Sequence, residues 1–317
     1  MSSTTTKITN NGFKYQIRTK LRELLEEVKA NKISYLFLAP FGIIFIVFTV
    51  IPVFIAIGLS FTYYNMLETP TWIGWQNYIG LFLSDDVFLI AVKNTLVFAL
   101  ITGPLSYMAC FFFAWLINEL SPRIRSVLTL LFYAPSIAGN AFVIWTTIFS
   151  GDAYGYVNGF LLKWGFINEP IQWLLDPQWM MPVVIVVVLW MSLGTSFLVF
   201  IAGLQGIDRR LYEAGAVDGI RNRWQELFYI TLPAMKPQLM FGAIISITTS
   251  FAAALKIIPL VGFPSTDYAG RTIVTHLVDY GNVRFEMGYA SAIAVVLFVT
   301  MVGAQKLVQR LLRNLDS

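Results

Sequence analysis

Six apolar stretches, each long enough to cross a hydrocarbon layer, occupy most of this 317-residue chain. They run over about residues 33–62, 91–117, 127–149, 181–204, 238–260 and 287–308. A helix needs roughly 20 apolar residues to span a bilayer, and each stretch meets or exceeds that. With lipid on all sides every backbone polar group must be satisfied internally, so such stretches become helices or a closed barrel, and runs this long are helices. Only 13% of the residues are charged, about half of what a soluble domain carries. The expected fold is therefore all-α, a polytopic membrane protein of six transmembrane helices.

Charge orients it. Lys7, Lys14, Arg18, Lys20, Arg22, Lys29 and Lys32 precede the first stretch, and Arg123 and Arg125 sit in the turn after the second. Arg209, Arg210, Arg221, Arg223 and Lys236 follow the fourth, and Lys306, Arg310 and Arg313 end the chain. The alternate loops hold only Lys163, Arg271 and Arg284. Basic residues accumulate on the cytoplasmic side, which places both termini there. Tryptophans and tyrosines, including Trp72, Trp75, Tyr154, Trp164, Trp173 and Trp179, crowd the opposite loops, as interfacial aromatics do. His276 falls in the third of those loops and reads as polar surface. Ile17, Leu21, Leu24, Leu25 and Val28 recur at helical spacing among basic residues, which predicts an amphipathic helix over about residues 14–32, either at the membrane surface or solvated with its apolar face on the protein.

The long cytoplasmic loop, residues 205–237, is unlike a simple turn. Leu211, Tyr212, Ala214, Val217 and Ile220 form one helical stripe, and Trp224, Leu227 and Phe228 another. Two short helices hinged at Asp218-Gly219 are expected, presenting a surface to a cytoplasmic partner. Gly219 allows a turn where a side chain would clash. Within the spans, hydroxyl and amide residues recur one turn apart: Ser136 with Asn140, Ser192 beside Thr195 and Ser196, Ser246 with Ser250. Phe132, Tyr133 and Met191 neighbour them. Hydroxyls mixed with aromatics suit a sugar, although small hydroxyl residues also let membrane helices pack closely. Lys93 and Lys256 lie near the outer ends of their spans and read as snorkelling side chains. Cys110 reads as a small packing residue. One cysteine excludes an internal disulfide, and one histidine excludes a site needing two. The chain has no G-x-x-x-x-G-K-[ST] phosphate loop, so it should not hydrolyse ATP, and no row of ionisable groups crosses the spans as an ion-coupled carrier would need.

Glu213-Ala214-Gly215-Ala216-Val217-Asp218-Gly219 followed by Ile230-Thr231-Leu232-Pro233 resembles the EAA motif of binding-protein-dependent ABC importer permeases. Gly215 stands where the motif has its second alanine, and Asp208 where a proline often precedes the glutamate; glycine and alanine are both small enough for close packing. Trp72-Ile73-Gly74-x-x-Asn77-Tyr78, Asn94-Thr95, Ala134-Pro135 and Gly155-x-x-Asn158 extend the resemblance to the carbohydrate-type branch, to the first of two unlike permeases. The resemblance implies a type I importer permease fold, with a permease domain over residues 33–309 between cytoplasmic tails 1–32 and 310–317, in the cell membrane. It implies that Glu213, Ala214, Gly215, Asp218, Gly219, Leu232 and Pro233 belong to a coupling helix docking on an ATP-binding subunit. Phe132, Tyr133, Ser136, Asn140, Met191, Ser192, Ser246 and Ser250 would then line the sugar path. Two ATP-binding cassette subunits would hold ATP and magnesium, this chain holding no cofactor and no metal. The further partners would be a second, homologous permease, an extracytoplasmic binding protein and a carbohydrate, with no nucleic acid. The alternatives are a permease for another solute such as glycerol phosphate or a polyamine, and a secondary transporter or membrane-embedded enzyme. An anionic substrate would call for a lining Arg or Lys, and mid-span cations are lacking.

Overall fold

The computed structural model describes residues 26, 30–139, 141–252 and 256–314, with side chains up to residue 310. The predicted amphipathic helix over residues 14–32 lies almost wholly outside them, as does Asn140. The chain falls into two compact units, Met1–Gly58 and Leu59–Ser317. The described part of the first is most of helix α1 (Lys32–Leu59), apolar throughout and relaxed into a π turn at Ile46–Val50, just before Pro52. A π turn beside a proline is one of the local adjustments that re-satisfies freed carbonyls in a membrane helix.

The second unit opens with a two-residue antiparallel hairpin, β1 (Thr62–Tyr63) and β2 (Thr71–Trp72), the one departure from an all-helical fold among the described residues. Helix α2 (Gln76–Leu83) leads to α3 (Asp86–Asn118), which begins five residues before the apolar run of the second span. Asp85 caps α3, its side chain accepting from the backbone N–H of Phe88 at 2.8 Å. The third span is broken: α4 (Pro122–Ile137) ends and α5 (Phe142–Ile148) begins after a gap of four residues. After α6 (Tyr156–Lys163), the fourth span is also broken, into α7 (Pro177–Trp190) and α8 (Thr195–Gln205). The predicted loop helices are α9 (Arg209–Val217) and α10 (Arg223–Ala234), the latter with a π turn at Leu227–Thr231. The fifth span is α11 (Lys236–Ala252), followed by short helices α12 (Ile258–Val261) and α13 (Ile273–Val278), and the sixth is α14 (Met287–Asn314). Four helices, α1, α3, the α7–α8 pair and α14, are long and apolar enough to cross a membrane; the bent pairs α4–α5 and α10–α11 bring the number to six if each is one span.

Helices α3, α8 and α11 form the centre. Phe197 and Phe200 of α8 are wholly buried, and Tyr107 and Phe111 of α3 meet Phe200 edge-on. A second cluster joins Phe98, Met180, Val184, Val187 and Ile257. The asparagines of the recognised motifs are loop clamps. Asn77 donates to the carbonyls of Ser60 and Thr62, both at 2.9 Å, and Asn94 to those of Ala269 and Arg271 at 3.1 and 2.9 Å. Asn158 donates to the Ile171 carbonyl at 2.9 Å and accepts from the Ile171 N–H and the Trp173 indole. An amide supplies donor and acceptor together, so one side chain satisfies the buried backbone of a whole loop. Trp173, expected at the membrane interface, is buried by that bond.

Candidate functional site

The two helix breaks and a cavity coincide. A cavity of about 200 Å³ lies between α3, α4, α7, α8 and α11, lined by Tyr133 and Ser136 at the end of α4, Met191, Ser192 and Gly194 at the α7–α8 break, and Ser246 and Ser250 of α11. Interrupted backbone at membrane depth persists only where it is buried in protein or lines a polar cavity. Here the break of the fourth span is held by Cys110, whose thiol reaches the Ser192 carbonyl at 3.5 Å, while Gly194 backs onto Ser136. Six of the eight residues proposed from sequence thus come together. Phe132 does not: it packs against Phe113 at 5.0 Å and Phe197 at 6.3 Å, in the core on the other side of its helix. Tyr133, one residue on, points about 100° round the helix and reaches the cavity instead.

Several lining residues were not expected from the sequence, Thr102, Ser106 and Lys256 among them. Thr102 and Ser106, four apart on α3, face the cavity and were legible as a hydroxyl pair of the same kind as Ser246 and Ser250. Lys256, read as snorkelling, lines the same cavity. Lys93, by contrast, is exposed.

The wall has a chemical bias. Thr102 donates to Phe98 O at 2.8 Å, Ser136 to Tyr133 O at 2.7 Å, Ser192 to Leu189 O at 2.6 Å and Ser250 to Ser246 O at 2.7 Å. Each hydroxyl spends its proton on a carbonyl one turn back, so it offers the cavity a lone pair. Such a surface accepts hydrogen bonds from a polyhydroxyl ligand.

At the end where the second span finishes, α9 and α10 form a braced hairpin. Asp208 caps α9, accepting from Arg210 N–H at 3.0 Å, and Asn222 caps α10, accepting from Gln225 N–H at 2.8 Å. Tyr212 and Thr231 share a hydrogen bond of 2.9 Å between the two helices. Arg223 pairs with Glu119 at the end of α3, and Trp224 packs on Trp115 at 5.4 Å. The hairpin is therefore bolted to α3 and continues, through a bend of 80°, into α11. Its outer face is open: Glu213, Ala214, Ala216, Val217 and Asp218 are exposed, Val217 to 88%. Gly215 is buried on the inner face, Leu232 half-buried and Pro233 exposed. Glu213 lies 3.8 Å from Arg209 on the same face. Gly219 has a φ of +96°, with open space around its Cα. The expected clash is absent, and glycine is needed for backbone conformation instead.

At the opposite end the structure overturns the reading of His276 as surface; it is 1% exposed. Its Nδ1 accepts from Arg271 at 3.2 Å, and since an arginine has no acceptor, its proton sits on Nε2, facing Asp85 Oδ2 at 3.1 Å. Tyr280 and Tyr289 also donate to Asp85, at 3.4 and 3.0 Å. Arg271 and Arg284 both pair with Asp279. Burial pushes the His276 imidazole below its ordinary value of 6.5, Arg271 adding to the effect against Asp85 and Asp279. Burial works to raise the Asp279 carboxyl, but the hydrogen bonds and charges of Arg271 and Arg284 hold it below its ordinary value. A depressed histidine means that the unfolded chain binds the proton first, so stability falls as pH drops below about 6.5. The purified protein is expected to melt lower at pH 5.5 than at 7.5. His276→Gln, whose amide can accept from Arg271 and donate to Asp85, should flatten that difference; an unchanged pH slope would exclude His276 as its source.

Comparison with known proteins fits this architecture. No family model matches the chain. It is 33% identical over 275 residues to the probable ABC transporter permease protein YesP of Bacillus subtilis, covering 86% of this chain and 87% of that one. It is 30% identical over 282 residues to the arabinooligosaccharides transport system permease protein AraP of the same organism, 88% of each chain. A bacterial alginate ABC transporter, crystallised with its alginate pentasaccharide-bound periplasmic protein, superposes with a TM-score of 0.72 at 26% identity, over 91% of this chain and 98% of that one. The chain belongs to the ABC transporter permease proteins, in their carbohydrate-type branch. It is a multi-pass membrane protein.

Proposed function

We propose that this chain is one of two unlike permease subunits of an ATP-driven importer in the cell membrane, moving a sugar or oligosaccharide by alternating access. In this reading both termini and the α9–α10 hairpin are cytoplasmic. Two ATP-binding cassette subunits, carrying ATP and magnesium, grip the hairpin, and an extracytoplasmic binding protein delivers the sugar. The observation that carries the reading is the hairpin itself. Its outer face is exposed, with Ala214, Ala216 and Val217 between two acids, Glu213 and Asp218, while its inner face is fixed to α3 and α11, the helices that wall the cavity. A partner that displaces α9 must move those walls. Tyr212–Thr231 and Arg223–Glu119 are the links through which α9 drags α10, and α10 drags α3.

The residues of the cavity are neutral hydroxyls, an aromatic and a methionine over most of its wall, chemistry suited to sugar hydroxyls and ring faces. The relatives support carbohydrate: one is named for arabinooligosaccharides, and the structural neighbour carries alginate pentasaccharide on its periplasmic protein.

Glu213→Lys is expected to cut sugar uptake by at least tenfold, the scale of one lost charge-assisted contact, and to weaken co-purification with the ATP-binding subunits. Binding-protein affinity should stay as it was. Normal uptake in this variant, together with stable purification of the chain without any ATP-binding subunit, would refute the importer reading.

A further inference from the structure

We propose that Lys256 forms an anion subsite in the cavity, and that the carbohydrate this chain passes is one bearing carboxylates, a uronate-containing oligosaccharide. The inference rests on the permease reading above and narrows its substrate.

Lys256 is fixed by the residues that follow it. Ile257, next to it, is wholly buried in the cluster with Phe98 and Val184, and α12 continues with Leu260 and Val261 buried. The backbone at residue 256 is therefore tied to the core. The side chain lines the cavity together with Thr102, Thr249 and Ser250. It is the sole charged group among the described lining residues. Among the described residues it has no ion-pair partner, whereas Arg223, Arg271 and Arg284 all have one.

An ammonium held in a cavity between membrane helices without a carboxylate is costly, and such groups mark ligand paths. The rest of the wall makes the assignment sharper. Most cavity hydroxyls have donated their protons to helix carbonyls and present lone pairs, which repel a carboxylate and welcome hydroxyl donors. An anionic group entering the cavity is thus driven to Lys256, which has three donors and a full charge. Sugar hydroxyls distribute over the acceptors. One ammonium balances one carboxylate; a phosphate ester, carrying between one and two charges at neutral pH, would leave part of its charge facing lone pairs. This favours a uronate over a sugar phosphate.

The test uses the full complex in proteoliposomes, both permeases with the ATP-binding subunits and the binding protein. The probes are galacturonate-, glucuronate- and mannuronate-containing oligosaccharides of two to five units, each paired with its carboxyl-reduced counterpart. Wild type should import at least one acidic member faster than its reduced form. Lys256→Gln should lower uptake of that acidic sugar about 10- to 100-fold, the range for a lost hydrogen bond to a charge. Lys256→Arg should keep most of it, and neither variant should alter complex assembly or the binding protein's affinity. Equal loss of acidic and reduced sugars in Lys256→Gln, or no loss at all, overturns the subsite while the carbohydrate reading stands. So does a wild-type complex that imports only the neutral members, a comparison that decides the matter even if Lys256→Gln fails to assemble. Import of none of these probes overturns the subsite; the carbohydrate reading falls as well only if neutral oligosaccharides of other sugars, arabinooligosaccharides included, are also refused.

Discussion

Gly215→Val is expected to silence transport, whereas Gly219→Ala should only slow it. The two glycines lie four residues apart in one motif but are required for different reasons. A Cβ built on Gly215 would sit 2.6 Å from Cδ1 of Ile230 and 3.1 Å from Cδ1 of Ile220. Ile230 belongs to the π turn of α10, so Gly215 is where α9 lies against the strut that carries its movement onward. Alanine there must push aside the end methyls of two flexible side chains, that of Ile230 the further. Valine adds two more carbons, and overpacking of that kind costs about 1–3 kcal/mol and moves backbone. Such a shift pulls α9 away from α10 and strains the hydrogen bond between the Tyr212 and Thr231 hydroxyls. Gly219 faces open space, and its cost is conformational, about 1–3 kcal/mol for an L residue held at positive φ. Ile230→Val removes the Cδ1 atom and should restore Gly215→Ala to wild-type uptake; it should do nothing for Gly219→Ala. Uptake and sugar-stimulated ATP hydrolysis in proteoliposomes would read this, and normal uptake in Gly215→Val, or no rescue by Ile230→Val, would show that the α9–α10 contact is not the coupling element.

The loop illustrates what a sequence exposes and what it hides. Both helices, their hinge and their outward face were legible, because two stripes of 3.6-residue period on either side of a glycine are local signals. The reason for Gly215 was not, since the atom it avoids lies fifteen positions away in a turn of unforeseeable pitch. The cavity was legible as hydroxyl pairs one turn apart, but α4 ends one residue after Ser136 and Ser192 lies in the break after α7, and helical spacing cannot anticipate its own interruption. Asn77, Asn94 and Asn158 stood out as motif residues, and their work is to hold loops rather than to bind anything among the described residues. Lys256 was misread because position near a span's end suggests escape to the headgroups, an inference that fails when the following residues are buried. His276 was misread for the complementary reason: a polar residue in a loop is ordinarily exposed, and its partners Asp85 and Arg271 are 191 and 5 residues distant.

Arg271→Ala is expected to destabilise the chain by about 3–5 kcal/mol, the cost of removing one partner of a buried ion pair. Arg271 is 3% exposed, pairs with Asp279, donates to His276 and lies over the rings of Phe263 and Tyr268 at 5.3 and 5.7 Å. Its loss leaves His276 Nδ1 without its donor and Asp279 with Arg284 alone, itself half-exposed at 3.0 Å. Three elements then part company: the start of α3 through Asp85, α13 through His276, and the start of α14 through Tyr289, which reaches the same Asp85 oxygen. Lysine should not rescue, because its ammonium cannot span His276 and Asp279 in one plane as a guanidinium does. Removing both charges, as in Arg271→Met with Asp279→Leu, should recover a large part of the loss, since what is costly is the carboxylate left behind. Thermal unfolding of the detergent-solubilised complex at pH 7.5 separates these outcomes. A single variant as stable as wild type, or a double variant no better than Arg271→Ala, would mean that the cluster is not what ties the ends of α3 and α14 together.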